Sequence, residues 1–373
     1  MDDSSPQPPI AVAIDAGPLY GHRTGVGIAA AGFIDELHQR SEVDLNPYLV
    51  SFRATPQPGH MRLPLPGIVA SHAWSRSAVP RADRWLVGVD VVHGTNYVAP
   101  PTRLPTVISV YDCWFLVNSE RSAPVIKRAG RTLRRAVADG AWLHVSASAI
   151  NDETRAVLGT DRVRTIPLGP PPPVAPLSEL AVPAVASAIV GRPFILAIGT
   201  EEVRKDLPLL IEAFAAVASE VPDVLLVLAG APGSASTAVD AAVGTLPVAI
   251  RSRVHRLGRV DEPAKHWLLR QASVLAYLSL DEGFGFPILE AHEAGTPVVA
   301  RAVGSVPEVA GDAALLVAER DAHAVADALR RCLTDGGLRL TLIGGGHSNR
   351  ARFSWEATAD QMIDLYRTAI SEH

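Results

Sequence analysis

The stretch Val274-Leu-Ala-Tyr-Leu-Ser-Leu-Asp-Glu-Gly-Phe-Gly-Phe-Pro-Ile-Leu-Glu-Ala-His-Glu-Ala-Gly-Thr-Pro-Val-Val-Ala300 reads as a strand, a turn, a helix and a second strand. Val274 to Tyr277 is a short apolar run, as expected of a strand buried on both faces. Gly283 and Gly285 break the run. Pro287 opens a helix, because its missing amide proton costs nothing in the first turn. That helix, Pro287 to Ala294, stops at Gly295, and Pro297 to Ala300 returns to strand. Strands joined through a helix pair in parallel, which places the segment in the α/β class.

The same alternation extends outward. Phe194 to Ile198 and Val224 to Ala229 read as strands around a helix at Pro208 to Ala218. Ile10 to Ile14, Asp90 to Val92, Thr106 to Val110 and Trp142 to Val145 are strands of an earlier series. A chain of 373 residues is too long for one ordinary core. Gly169-Pro-Pro-Pro-Pro-Val-Ala-Pro176 sustains neither helix nor central strand, since proline lacks a donor and restricts the residue before it. With the Ala/Val/Pro stretch that ends near Gly191, it reads as an interdomain linker. The expectation is a first domain over 1–175, a second over 176–350, and an amphipathic terminal helix within 351–373 that packs back on the first. Ligands of such doubly wound sheets bind beyond the carboxyl ends of the strands.

Composition excludes several classes. A net charge of -5 is not that of a nucleic-acid binder, which carries a strong positive excess. No run approaches the roughly 18–20 uncharged apolar residues of a membrane-spanning helix. Met1 to Pro9 lacks the basic stretch and apolar core of a secretory signal. Cys113 and Cys332 are too far apart for a disulfide framework or a cysteine zinc site. A cytoplasmic protein is the expectation. Val125 to Val137, with Lys127, Arg131, Arg134 and Arg135, reads as a basic amphipathic helix that is either a solvated face or a peripheral contact with the anionic inner face of a membrane.

Chemistry concentrates at predicted strand ends. After Tyr277 come Glu282, Gly283, Phe284, Gly285 and Phe286, with Glu290 just inside the helix. Exposed amides at a helix start attract anions, and carboxylates accept hydrogen bonds from vicinal hydroxyls such as those of a ribose or hexose. A favourable macrodipole contact and a plain turn are the competing reading. After Ile198 comes Gly199-Thr200-Glu-Glu-Val-Arg204-Lys205-Asp206. Arg204 offers a planar fork and Lys205 a point charge to a diphosphate. Lys205 is one of three lysines, with Lys127 and Lys265, in an arginine-rich chain. Here the competing reading is a solvated cluster paired with Glu201, Glu202 and Asp206. In the first half, Gly25-Val-Gly27 fits a glycine loop projecting into a cleft and abutting a helix better than a nicotinamide site, because ten residues separate Gly25 from Ile14. His93-Gly-Thr-Asn96, Tyr111-Asp112 and Ser146-Ala-Ser148 follow predicted strands and fall on the same cleft edge.

Together these residues resemble the retaining glycosyltransferases of family four. Glu282 to Glu290, Ala291-His-Glu-Ala-Gly-Thr-Pro-Val-Val and Gly304-Ser-Val-Pro-Glu-Val-Ala-Gly-Asp carry most of the likeness. Gly199 to Asp206 is similar to the family's Gly-Thr-x-Glu-Pro-Arg-Lys-Asn motif, with Val203 and Asp206 as departures. The likeness is looser over the first half. It implies a GT-B fold, two Rossmann-like domains facing a central cleft, and a nucleotide diphosphate sugar as co-substrate, with no cofactor and no metal. By the same likeness, Arg204 and Lys205 hold the donor diphosphate and Glu290 the ribose, while Glu282 lies beside the transferred sugar. The loop from Gly283 to Phe286, together with Gly199 and Thr200, contacts the donor, and Gly25 and Gly27 close the cleft. Tyr111 stands where relatives carry a sugar-reaching histidine beside Asp112; His93, Asn96 and Ser146 are left to the acceptor side. The Glu-x-Arg-Lys form leans toward mannosyl transfer from GDP-mannose to a glycan or lipid-linked acceptor. A nucleotide-sugar epimerase or hydrolase, and a catalytically silent nucleotide-sugar-binding partner, are the alternatives.

Overall fold

The structure is a computed structural model that describes residues 8–21, 24–118 and 123–373; the signal reading at residues 1–7 lies outside the described residues. Its contacts divide the chain into two compact units. One comprises Met1–Gly169 with Phe353–His373, and the other Pro170–Arg352.

In the first unit the strands are β1 (Ile10–Asp15), β2 (Val43–Val50), β3 (Met61–Leu63), β4 (Val91–Gly94), β5 (Thr106–Ser109), β6 (Trp142–Val145) and β7 (Val163–Thr165). They form a parallel sheet in the order β3-β2-β1-β4-β5-β6-β7. In the second, β8 (Phe194–Ile198), β9 (Leu225–Ala229), β10 (Val254–Gly258), β11 (Val274–Tyr277), β12 (Val298–Arg301) and β13 (Leu315–Val317) form a parallel sheet in the order β10-β9-β8-β11-β12-β13. Strand order reverses at β1/β4 and again at β8/β11. Helices leaving opposite faces there open a crevice at the carboxyl ends of the strands.

The alternation within β8 shows why this sequence sits between two helical layers. Ile195 and Ala197 pack with Leu210 and Phe214 of the helix Leu207–Glu220. Phe194 and Leu196 pack with Trp267, Leu268 and Ile288 from helices on the other face. Burying each such side chain stabilises the unit by about 1.5–3 kcal/mol.

The proline-rich segment that reads as an interdomain linker begins at the boundary between the units and packs into the second. Val174, Ala186 and Ile189 are buried in the second unit's core, and Arg270 donates to the carbonyl oxygens of Val174 at 2.7 Å and Ala175 at 3.2 Å. Those bonds occupy backbone acceptors that no helix or sheet would satisfy. The helix Trp355–Ser371 buries Met362, Leu365 and Tyr366 within the first unit. Its Trp355 ring covers Gly32 and Gly169 so closely that a Cβ at either position would come within 2.2 Å of it.

Candidate active site

In the second unit β8 and β11 are neighbours, so the loops leaving them are brought side by side. After β8, Gly199 turns with φ +131°, and the tip closes in a short 3-10 turn, Val203–Lys205. Asp206 ends this turn in the left-handed region, φ +46°, a conformation that Asp and Asn tolerate better than most residues. The Arg320 guanidinium grips the Asp206 carboxylate with bonds of 2.7 and 2.9 Å, holding the strained residue while the chain enters the helix Leu207–Glu220.

That turn aims Arg204 and Lys205 at the loop after β11. Lys205 Nζ donates to Glu282 Oε1 at 2.6 Å, Arg204 lies 2.8 Å from Oε2, and Ser279 Oγ donates to Oε1 at 2.6 Å. Burial alone would raise the Glu282 pKa, but Lys205 and Arg204 outweigh it and hold the carboxyl down to about 2. Lys205 Nζ also lies 4.6 Å over the Tyr277 ring and donates to its hydroxyl at 3.3 Å. The competing solvated cluster does not form. Glu201 is bound to Arg256 at 2.6 and 2.9 Å, Asp206 belongs to Arg320, and only Glu202 reaches Arg204, at 3.8 Å. Two cations on one carboxylate leave a net positive trio, ready for an anion.

The loop from Glu282 to Gly285 is fastened from behind. Ser305 donates its amide and its hydroxyl to the Glu282 carbonyl at 3.0 and 2.9 Å, and its hydroxyl also contacts the Phe284 carbonyl at 3.0 Å. Gly304 makes the approach possible, since a Cβ there would lie 2.5 Å from the Glu282 carbonyl oxygen. Gly285, at φ +100°, caps the helix Phe286–Ala294, and the rings of Phe284 and Phe286 pack edge to face at 5.1 Å. Glu290, buried on that helix, receives Lys265 Nζ on Oε1 at 2.9 Å. Thr200 is exposed and Gly283 buried on the same edge.

The first unit corrects several expectations. Gly25 and Gly27 form the first turn of the helix Gly25–Leu37 rather than a loop. His93 is fully buried: its Nδ1 bonds the Tyr366 hydroxyl at 2.7 Å and its Nε2 the Ser109 hydroxyl at 2.8 Å. Ser109 continues to His144 Nδ1 at 2.9 Å, whose Nε2 reaches the Ile166 carbonyl at 2.9 Å. Burial drives the His93 pKa down to about 3 and that of His144 down to about 4, so both imidazoles stay neutral inside a structural chain. Tyr111 is buried and donates to the Thr95 carbonyl at 2.9 Å. Ser146 is buried as well. Asp112 accepts from the Tyr97 hydroxyl at 3.0 Å, and Asn96 is exposed just past β4.

Sequence reasoning passed over Lys265, although its rarity was a signal, and Asp15, the polar residue that ends β1 beside the strand-order reversal. Asp15 Oδ1 accepts from the Gly17 amide at 2.9 Å, and burial raises its pKa to about 6. Among the described residues no group of three or more His, Cys, Asp or Glu is placed to hold a metal, and no helix is long and apolar enough to cross a membrane. The basic helix is Pro124–Ala138. Arg128 bonds Ser71 at 3.0 Å, Arg134 the Val157 carbonyl at 3.0 Å and Arg135 the Trp74 carbonyl, while Val125, Ile126 and Arg131 are exposed.

Residues 192–335 match the family described as Glycosyl transferases group 1. A D-inositol 3-phosphate glycosyltransferase of Xylanimonas cellulosilytica is 32% identical over 218 residues, 56% of this chain and 52% of that protein. The O-antigen chain mannosyltransferase B of Escherichia coli is 34% identical over 177 residues, 47% of this chain and 45% of that protein. The chain thus spans about half the length of these two relatives. Sucrose-phosphate synthase from Thermosynechococcus elongatus shares the fold, with a TM-score of 0.70 at 20% identity, over 98% of this chain and all of that one.

Proposed function

We propose, from the premise that this chain belongs to the group 1 glycosyltransferases, that it moves a hexose from a nucleotide diphosphate sugar to a glycan or lipid-linked acceptor with retention of anomeric configuration. The observation that carries this reading is the trio of Arg204, Lys205 and Glu282 at the strand-order reversal of the second sheet. In the transfer, the bond from the anomeric carbon to the diphosphate breaks with its electron pair on the leaving oxygen. The acceptor oxygen bonds to that carbon, and its proton goes to the departing diphosphate. Charge therefore develops on the diphosphate, where two prepositioned cations stabilise it more than they stabilise the bound donor. Glu290 holds the ribose, and Glu282 keeps the cations in place and borders the sugar. Asp112 and the exposed Asn96 serve the acceptor side.

Mannose, carried by GDP, is our choice of donor. The Glu-x-Arg-Lys motif supports it, as does the likeness to a protein named a mannosyltransferase. We assign the helix Pro124–Ala138 to peripheral contact with an anionic membrane bearing the acceptor, on the strength of its exposed Val125, Ile126 and Arg131.

Release of nucleoside diphosphate from a panel of nucleotide sugars, with and without candidate acceptors, tests the reading. Lys205→Ala and Glu290→Ala are expected to lower turnover by about a hundredfold or more while leaving the melting curve cooperative. Full turnover in both folded variants would remove the assignment. Tight donor binding with no turnover in the unaltered protein would favour the silent partner, a reading to which the committed hydroxyl of Tyr111 lends weight.

A further inference from the structure

Glu290 is a carboxylate buried on a helix, and Lys265 is the cation the fold supplies to it. Lys265 stands in the first turn of the helix Glu262–Gln271, where the macrodipole disfavours a positive charge. Its side chain is only 12% exposed, and burial works against its charge as well. The neighbouring Glu290 and Glu262 reverse both effects and raise its pKa. Glu262, at 2.8 Å from Nζ, has a side chain 71% exposed and is screened by water, whereas the Glu290 side chain is 7% exposed. The pair that matters is therefore Lys265 with Glu290.

The geometry of that pair is asymmetric. Lys265 Nζ lies at 2.9 Å from Glu290 Oε1, and among the described residues no donor is bonded to Oε2. Oε2 is also not among the buried atoms left without a partner, so it opens onto accessible space. One oxygen is pinned and the other is presented. A carboxylate without that pin could change rotamer, and it would then stop being a fixed acceptor for a hydroxyl pair.

We infer that Lys265 is the positioning residue for ribose recognition: it holds Glu290 turned so that Oε2 meets the ribose hydroxyls of the donor. The inference rests on the nucleotide-sugar reading above and adds to it the residue that makes Glu290 selective for ribose over deoxyribose. A lysine suits this task better than an arginine, because a compact point charge pins one oxygen where a planar fork would occupy both.

Calorimetric titration of the full chain with GDP, UDP and ADP, then with the 2′,3′-dideoxy form of the tightest binder, tests the inference. The unaltered protein is expected to prefer the ribonucleotide by about tenfold or more, the value of a charged hydrogen bond. Lys265→Met is expected to lose most of that preference by weakening the ribonucleotide, with the dideoxy form nearly unchanged. Lys265→Arg, which retains the charge, should restore part of it. Equal weakening of both nucleotides in Lys265→Met, or a preference left intact, would overturn the inference while leaving the donor reading standing. Absence of binding by all three nucleotides to the unaltered protein would overturn the donor reading itself, and this inference with it. Thermal melts establish that each variant is folded before titration.

Discussion

Tyr111 shows how a polar side chain at a strand end can be spent on the fold. Its hydroxyl is bonded to the Thr95 carbonyl at 2.9 Å, and its ring packs edge to face with Tyr97 at 5.8 Å. A buried donor spent on a backbone acceptor is a structural element, and desolvation raises its pKa further out of reach of proton transfer. Tyr111→Phe should therefore cost about 1–2 kcal/mol in a denaturant melt, because the Thr95 carbonyl is left unpaired. Donor turnover should stay within about twofold of the unaltered protein, since no group that meets the donor has moved. A stable Tyr111→Phe protein with turnover down by orders of magnitude would restore a catalytic role to the hydroxyl. The site residues themselves divide along the same line. Arg204, Lys205 and Glu282 could be singled out because charged residues following predicted strands have few structural reasons to be there. Their pairing could not be read, because Lys205 and Glu282 are 77 residues apart and meet only through the adjacency of β8 and β11. Lys265 was harder still, since its carboxylate partner lies on another helix.

Among the elements, the central strands were legible and several of their neighbours were not. Phe194–Ile198 and Val274–Tyr277 are continuous apolar runs because helices cover both faces. β2 escaped notice because Asp44, Asn46 and Pro47 interrupt its pattern. Pro47 is tolerated because β3 pairs only with Tyr48–Val50, so the missing amide proton falls before that ladder begins. β3, β7 and β13 are three-residue edge strands, too short to show alternation. The helix Pro124–Ala138 was legible as basic and amphipathic, yet three of its arginines turn out to brace the first unit. What remains for a membrane is modest: Arg131 with the exposed Val125 and Ile126. At about 1 kcal/mol for each basic residue near an anionic surface, binding should be weak and sensitive to salt. Co-sedimentation with phosphatidylserine-rich vesicles is expected at low ionic strength and should disappear near physiological salt. Replacing Val125 and Ile126 together by Asp should abolish it without shifting the melt. Failure to sediment with these vesicles at low salt would remove the membrane from the proposal.

At the scale of the whole molecule, the two units respond to acid through different groups, and the difference can be measured. The first unit encloses His93 and His144 with pKa values lowered to about 3 and about 4, against an ordinary 6.5. Each binds a proton in the unfolded chain before it can in the folded one, so its contribution is present above pH 6.5 and is lost as pH falls. Asp15 opposes them, because its pKa is raised from 3.8 to about 6 and the folded form gains its proton first. Between about pH 6 and 4, two losses and one gain leave a net difference of one proton. The first unit should therefore lose about 1.4 kcal/mol of stability per pH unit in that window. In the second unit burial lowers the His292 pKa from 6.5 to about 4, so its contribution is lost over the same window, while Glu282, lowered from 4.5 to about 2, gives up its own only below about pH 4.5. Acid should accordingly weaken both units between about pH 6 and 4, and only the first carries an opposing carboxyl, Asp15. The tryptophans provide separate views: Trp74, Trp85, Trp114, Trp142 and Trp355 lie in the first unit and Trp267 in the second. Urea melts followed by intrinsic fluorescence and by far-ultraviolet circular dichroism should both shift to lower urea as pH is lowered from about 6 to 4. Asp15→Asn, which removes the carboxyl that must be ionised at neutral pH, should raise stability in urea at about pH 7 and make it fall more steeply between about pH 6 and 4. A urea midpoint unchanged between about pH 6 and 4, together with one at about pH 7 that Asp15→Asn leaves unmoved, would contradict this assignment of the buried histidines and Asp15.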